Sequence, residues 1–196
     1  MGNALRPGDT VGKYVIESVI GEGGMGSVFR AQQLPLGRPV ALKVIRRDKL
    51  ATGAADRFLR EARLLGAISH PHVVTLLDFG TLDDGSFFCA MELLSGRDLR
   101  ARMKPGALPL DDALAIARDV ASALAAVHER GIVHRDVKPA NIFLVDGAGR
   151  APFARLLDFG VAKRGLVDGE TAESTLTDAG AVVGTPGYIA PEAITH

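Results

Sequence analysis

The chain has 196 residues, 47% of them hydrophobic, and its acidic and basic side chains balance to a net charge of +0. That suffices for one ordinary domain or two small lobes, and the neutral balance argues against a polyanion-binding surface such as one for nucleic acid. A single cysteine, Cys89, excludes an intrachain disulfide and favours a reducing, cytoplasmic setting with the thiol buried in its apolar run.

Met1-Gly2-Asn3-Ala4-Leu5-Arg6 lacks the apolar centre of a signal peptide, and Arg6 stands where a myristoylation signal needs Ser or Thr. Strands are expected over Tyr14–Ile20, Ser27–Ala31 and Pro39–Ile45, with a Pro-Leu-Gly turn at 35–37. The period then turns helical from Ala54 to Ile68, where Phe58, Ala62, Leu65 and Ile68 share one face. His70-Pro71 ends that helix, and two more strands follow, Val73–Phe79 and Ser86–Leu93. After Gly96 the chain reads as helical, and Leu110–Glu129 is its longest periodic segment, closed by Gly131. Leu110, Leu114, Ala117, Val120, Ala121, Leu124 and His128 centre its apolar arc, with Ile116 and Val127 widening one side. The arc covers about half the circumference, so this helix expects neighbours on more than one side. No segment reaches the roughly 18 consecutive apolar residues of a membrane span.

Four short strings carry chemistry. Gly21-Glu22-Gly23-Gly24-Met25-Gly26 fits G-x-G-x-x-G, a weak signal in a chain with 23 glycines. A strand follows it, whereas a dinucleotide fold needs a helix there to aim at the pyrophosphate. The glycines therefore read as a β-turn-β flap over phosphates. Lys43 lies on the third strand, and alternation puts it on the face of Ala41, opposite Val40, Leu42 and Val44. It either points to solvent or lines a cleft and needs an anionic partner. Glu61 is the candidate, because it falls inside the apolar arc of its helix; the plainer reading pairs it with Arg57 one turn earlier.

His134-Arg135-Asp136-Val137-Lys138-Pro139-Ala140-Asn141 is far more specific, since the chain's only asparagines are Asn3 and Asn141. It gathers a carboxylate, an ammonium and an amide in one loop, the groups phosphoryl transfer requires. Leu-Leu-Asp-Phe-Gly occurs twice, at 76–80 and 156–160. The first copy reads as a turn ending a strand. Only the second, one hairpin beyond Asn141, can bring Asp158 beside that residue. Gly184-Thr185-Pro186-Gly187-Tyr188-Ile189-Ala190-Pro191-Glu192 comes last, preceded by a polar stretch.

In this order, from about Asp9 to Glu192, these elements resemble the protein-kinase fold, with the flavour of bacterial serine/threonine kinases of eukaryotic type. The resemblance implies an α+β, two-lobe, kinase-like architecture: an extension over 1–8, a complete β-rich first lobe over 9–92 and a partial helical second lobe over 93–196. It implies ATP with magnesium or manganese, and protein substrates with Ser/Thr acceptors. Ile20, Gly21, Glu22, Gly23, Gly24, Met25, Gly26, Ser27 and Val28 would form the nucleotide flap. Lys43 would hold the α and β phosphates and pair with Glu61, while Ala41 and Phe143 would sandwich adenine. Met91 would be the gatekeeper, with Glu92 and Leu94 offering backbone hydrogen bonds. Asp136 would be the base, Lys138 would neutralise the transferring phosphate, and Asn141 and Asp158 would hold the metal. Arg135 would receive a phosphate carried by Thr171, Ser174, Thr175 or Thr177, and Thr185 would face the acceptor. The nonapeptide from Gly184 argues against a small-molecule kinase of the aminoglycoside type, leaving a noncatalytic nucleotide-binding or docking module as the competing function.

In the family a large helical portion follows the Ala-Pro-Glu motif. The chain is therefore expected to be a piece of a longer one, with Glu192 short of its arginine and part of the long helix's apolar arc uncovered. On that expectation the second lobe is unstable as written.

Overall fold

The computed structural model describes residues 5–23, 26–47, 54–147, 152–158 and 187–188, with backbone alone for 54–57. Six strands form an antiparallel sheet in the order β1-β2-β3-β4-β6-β5: Thr10–Val11, Tyr14–Gly23, Gly26–Gln33, Arg38–Ile45, Phe87–Glu92 and Leu76–Thr81. Alternation works as the sequence predicts. Val40, Leu42 and Val44 of β4 are buried and Ala41 and Lys43 are half-buried on the other face. Tyr14, Ile16, Phe29, Ala31, Val40, Leu42 and Ala90 share the inner cluster. Register shifts between Ile16 and Ser18 and between Val19 and Gly21 mark irregular pairing in β2, next to the exposed Ile20.

Helix α1, Ala54–Gly66, packs beside the sheet. Phe58 stacks on Phe87 with ring centroids 4.5 Å apart and sits with Ile45 in a small cluster of its own. Ala62 and Leu65 are buried on the same face, as the period requires, although the helix stops at Gly66 rather than Ile68. β5 begins at Leu76, not Val73. Val73 instead makes a parallel bridge to Leu156. The first Leu-Leu-Asp-Phe-Gly copy is therefore strand throughout, not a turn. Its Asp78 accepts a 2.7 Å hydrogen bond from the Tyr14 hydroxyl and pairs with Lys13 at 2.9 Å. Burial alone would raise the Asp78 carboxyl, but these two partners outweigh it and hold it below the usual range.

Beyond Glu92 the chain crosses to a second unit. Gly96–Asp98 is a short strand, β7, where the sequence suggested helix. It pairs with β8 (Ile142–Val145), which pairs with β9 (Phe153–Leu156). Asp98 caps the short helix α2, Leu99–Met103, through a 2.6 Å bond to the Ala101 amide. Helix α3, Leu110–His128, ends in a Schellman arrangement: Ile132 N–H donates to Val127 O and Gly131 N–H to His128 O, with Gly131 at φ 71°. The buried line of α3 is Ile116, Asp119, Ala123 and Val127, packed against β9. This corrects the predicted centre of the arc. Leu110 and Leu114 are 73% and 60% exposed, and Ala117, Val120, Ala121 and Leu124 line an open apolar groove. Half a circumference was apolar, and within the described residues one edge of it meets the core.

Val73 and Val74 join Leu65 and Ile68 in the core of this second unit, alongside Ile116, Val127, Leu144 and Leu156. The junction between the units is thus packed as well as covalent. Among the described residues no helix is long and apolar enough to cross a membrane.

Candidate active site

The cleft between the two units is lined by Ile20, Val28, Ala41, Val74, Met91, Glu92, Leu93, Leu94, Phe143, Leu157 and Asp158. Its roof comes from β2–β4, its back from β6 and the residues after it, and its floor from β8. Ala41 and Phe143, the pair expected to sandwich adenine, both line it. Val74, Leu93 and Leu157 also line it and went unmarked in the sequence. Leu93 and Leu157 adjoin motif residues, a signal that could have found them; Val74 had no such signal.

Beyond the irregularity at Ile20 the described flap residues pair in register, with Gly21 opposite Val28, Glu22 opposite Ser27 and Gly23 opposite Gly26. Gly24 and Met25 lie outside the described residues. Gly26 has a steric reason: a Cβ there would sit 1.9 Å from Val44 O, so no side chain fits between β3 and β4.

A second, narrower and more enclosed apolar pocket lies behind Met91, bounded by Lys43, Phe58, Ala62, Leu76, Cys89 and Asp158 among others. Met91, Val74 and Asp158 border both spaces, so Met91 stands between them. The part of Cys89 that is not covered faces this pocket. Burial pushes its thiol up to about 12, against a smaller opposing pull from Lys43.

Lys43 Nζ lies 2.6 Å from Asp158 Oδ1. The carboxylate observed against Lys43 is therefore that of Asp158. Glu61 is half-buried on α1, next to Ala62, which lines the inner pocket.

The loop from His134 to Asn141 is knitted to itself. Asn141, 6% exposed, donates through Nδ2 to Asp136 O at 2.8 Å and to Asp136 Oδ2 at 2.9 Å. Lys138 Nζ reaches the same Oδ2 at 3.0 Å. His134 is 1% exposed. The Asp136 amide donates to its Nδ1, so the proton resides on Nε2, which donates to Leu157 O at 2.7 Å. Burial holds the His134 imidazole below its ordinary value despite that bond and the nearby carboxylates. Leu157 N–H in turn donates to Asn141 O at 2.8 Å. Two bonds thus fix Leu157, and with it the start of Asp158, against the loop. Arg135 and Asp158 are the only described non-glycine residues with positive φ, 60° and 49°. Each such conformation costs about 1–2 kcal/mol, and here the pair brackets the polar centre. Arg135 is exposed.

The donor set of Asn141 and Asp158, an amide oxygen and a carboxylate joined through the Asn141–Leu157 bond, is hard and oxygen-based, which suits magnesium. Thr171, Ser174, Thr175, Thr177, Thr185 and Glu192 lie outside the described residues.

The protein kinase domain profile matches residues 14–196. The chain belongs to the protein kinase family. It is 45% identical over 183 residues to serine/threonine-protein kinase pkn2 of Myxococcus xanthus, covering 92% of this chain and 21% of that protein. The crystal structure of the Mycobacterium tuberculosis PknI kinase domain superposes with a TM-score of 0.72 at 35% identity, over 81% of this chain and 64% of that one. Rad53 1-466 in complex with AMP-PNP gives 0.67 at 31% identity, over 76% and 38%. The fold is the protein-kinase fold in part, a β-rich lobe followed by part of a helical one, and the chain spans about a fifth of its pkn2 relative.

Proposed function

We propose that this protein kinase transfers the γ-phosphate of ATP to Ser or Thr hydroxyls of proteins, with Asp136 as the base. One observation carries the reading: a carboxylate held by Asn141 and Lys138, coupled through His134 and Leu157 to the residue that meets Lys43. The names of the relatives favour this over a noncatalytic module.

In the mechanism, Asp136 accepts the proton of the acceptor hydroxyl as its oxygen attacks the γ-phosphorus, and the bond to the β–γ bridging oxygen breaks to leave ADP. Asn141 keeps the carboxylate aimed. Lys138 sits on Asp136 Oδ2 within reach of whatever binds there, so its charge passes to the phosphoryl oxygens as the Asp136 carboxylate becomes neutral. Lys43 moves its charge onto the α and β phosphates, and Glu61 is its proposed second partner. Ala41 and Phe143 hold adenine, Glu92 and Leu94 offer it backbone groups, and the glycine flap covers the phosphates. Asn141 and Asp158 would hold magnesium, or manganese in its place, which supplies charge neutralisation on the phosphate oxygens when bound. Phosphorylation at Thr171, Ser174, Thr175 or Thr177 would give exposed Arg135 a bidentate anion, and Thr185 would serve the acceptor side. The companion proposals are the division at 9–92 and 93–196, a cytoplasmic location and no nucleic-acid partner.

Transfer of radiolabel from γ-labelled ATP to a generic protein substrate tests the reading, with Asp136→Asn as control. Label in the substrate that Asp136→Asn abolishes supports it. No transfer, or transfer that survives the substitution, removes it.

A further inference from the structure

The residue after the gatekeeper is tied down by more than its own strand. Glu92 N–H donates to Thr75 O at 3.1 Å, and Glu92 Oε1 accepts from Thr75 N–H at 2.7 Å, so one residue grips both backbone groups of another. The same Oε1 meets the guanidinium of Arg155, a residue on β9. Both side chains are largely covered, at 20% exposure for Arg155 and 28% for Glu92. The ion pair is thus less screened than an exposed one. Arg155 is also the register partner of Phe143, the floor of the cleft, while Glu92 lines its back. One cation therefore links the two walls that a flat heterocycle would touch.

We propose that Arg155 is a positioning residue for the adenine end of the cleft, acting through the Glu92 carboxylate to hold the 92–95 crossing against the strand that carries Phe143. The proposal rests on the nucleotide reading above. Arg155 does not line the cleft, so its effect on a nucleotide is exerted entirely through the Glu92 peptide. Without the guanidinium, Glu92 keeps its two bonds to Thr75 but loses its only described side-chain tie to β9. The crossing then samples more arrangements, and a nucleotide must order it on binding.

The test compares the 196-residue chain with Arg155→Met, Arg155→Lys, Glu92→Gln and the double variant Glu92→Gln/Arg155→Met. The first readout is amide hydrogen exchange over residues 93–95 without nucleotide. The second is affinity for a fluorescent ADP with magnesium. Arg155→Met should speed exchange there about tenfold and weaken the nucleotide about fivefold. Arg155→Lys, which keeps the charge, should restore part of both, and Glu92→Gln should add little to Arg155→Met because the two act through one contact. Unchanged exchange over 93–95 in Arg155→Met and Arg155→Lys overturns the proposal, as does a fully additive double variant. A merely structural role would lower the melting temperature and leave the affinity of the folded fraction unchanged, which also overturns it. If the unsubstituted chain binds no nucleotide, the proposed function falls with the affinity effect, while faster exchange still establishes the Arg155 clasp on the crossing.

Discussion

Lys43 and Asp158 are 115 residues apart in sequence and 2.6 Å apart in space. The contact joins β4 of the first lobe to the segment just after β9 of the second. With side-chain exposures of 21% and 39%, the pair contributes little to stability, about 0–1 kcal/mol. Its worth lies in placing a cation on the wall of the inner pocket against a carboxylate that borders both pockets.

Lys43→Met should therefore spare the fold and remove transfer. The expected loss is about a hundredfold or more in label transfer, with a melting temperature within about 4 °C of the parent. Paired melting and radiolabel assays decide it. Transfer within about threefold of the parent would release Lys43 from the phosphates.

Asp136→Asn keeps an oxygen for Asn141 Nδ2 but offers no charge to Lys138 and cannot take a proton. Single-turnover transfer should fall about 10²- to 10⁴-fold while nucleotide affinity holds. A fall in affinity with an unchanged rate would instead make Asp136 a binding residue.

Much of this was legible because the local rules agree with the fold. Alternation put Lys43 on the face of Ala41, the Gly131 signal became a Schellman end, and motif order alone chose Asp158 over Asp78. What was hidden depends on distance. No pattern in sequence says that Arg155 meets Glu92, or that Lys43 reaches Asp158. The arc of α3 was read correctly as apolar, yet periodicity gives no weight to which edge meets β9. The buried Asp119 is the clearest instance: a polar residue on the packed edge, held by Ala154 N–H at 3.2 Å and facing His72 at 3.5 Å. Gly96–Asp98 became strand because β8 lies beside it, a tertiary pairing that local propensity does not contain.

Cys89 offers a probe of the inner pocket. With its thiol pushed up to about 12, roughly one molecule in ten thousand carries the thiolate at pH 8. An aromatic disulfide reagent should leave the native chain unmodified over an hour and react fully in denaturant. Rapid reaction under native conditions would mean that the pocket behind Met91 opens to solvent.

His134 couples the loop to the segment that carries Asp158 and also sets a pH limit. Burial lowers its value in the folded chain below the ordinary 6.5, so the unfolded chain binds the proton more readily. Stability from this site is intact above pH 6.5 and is lost as pH falls below it. His134→Phe removes that titration and the bond to Leu157 O together. At pH 8 the variant should be less stable by about 1 kcal/mol. Between pH 6.5 and 5 the parent should lose ground to it, because the parent alone must keep a buried imidazole neutral. Urea midpoints of both chains at pH 8 and pH 5 measure the difference, and subtraction removes the other histidines. A gap that stays constant across the two pH values would show that His134 takes up its proton in the folded protein as easily as in the unfolded one.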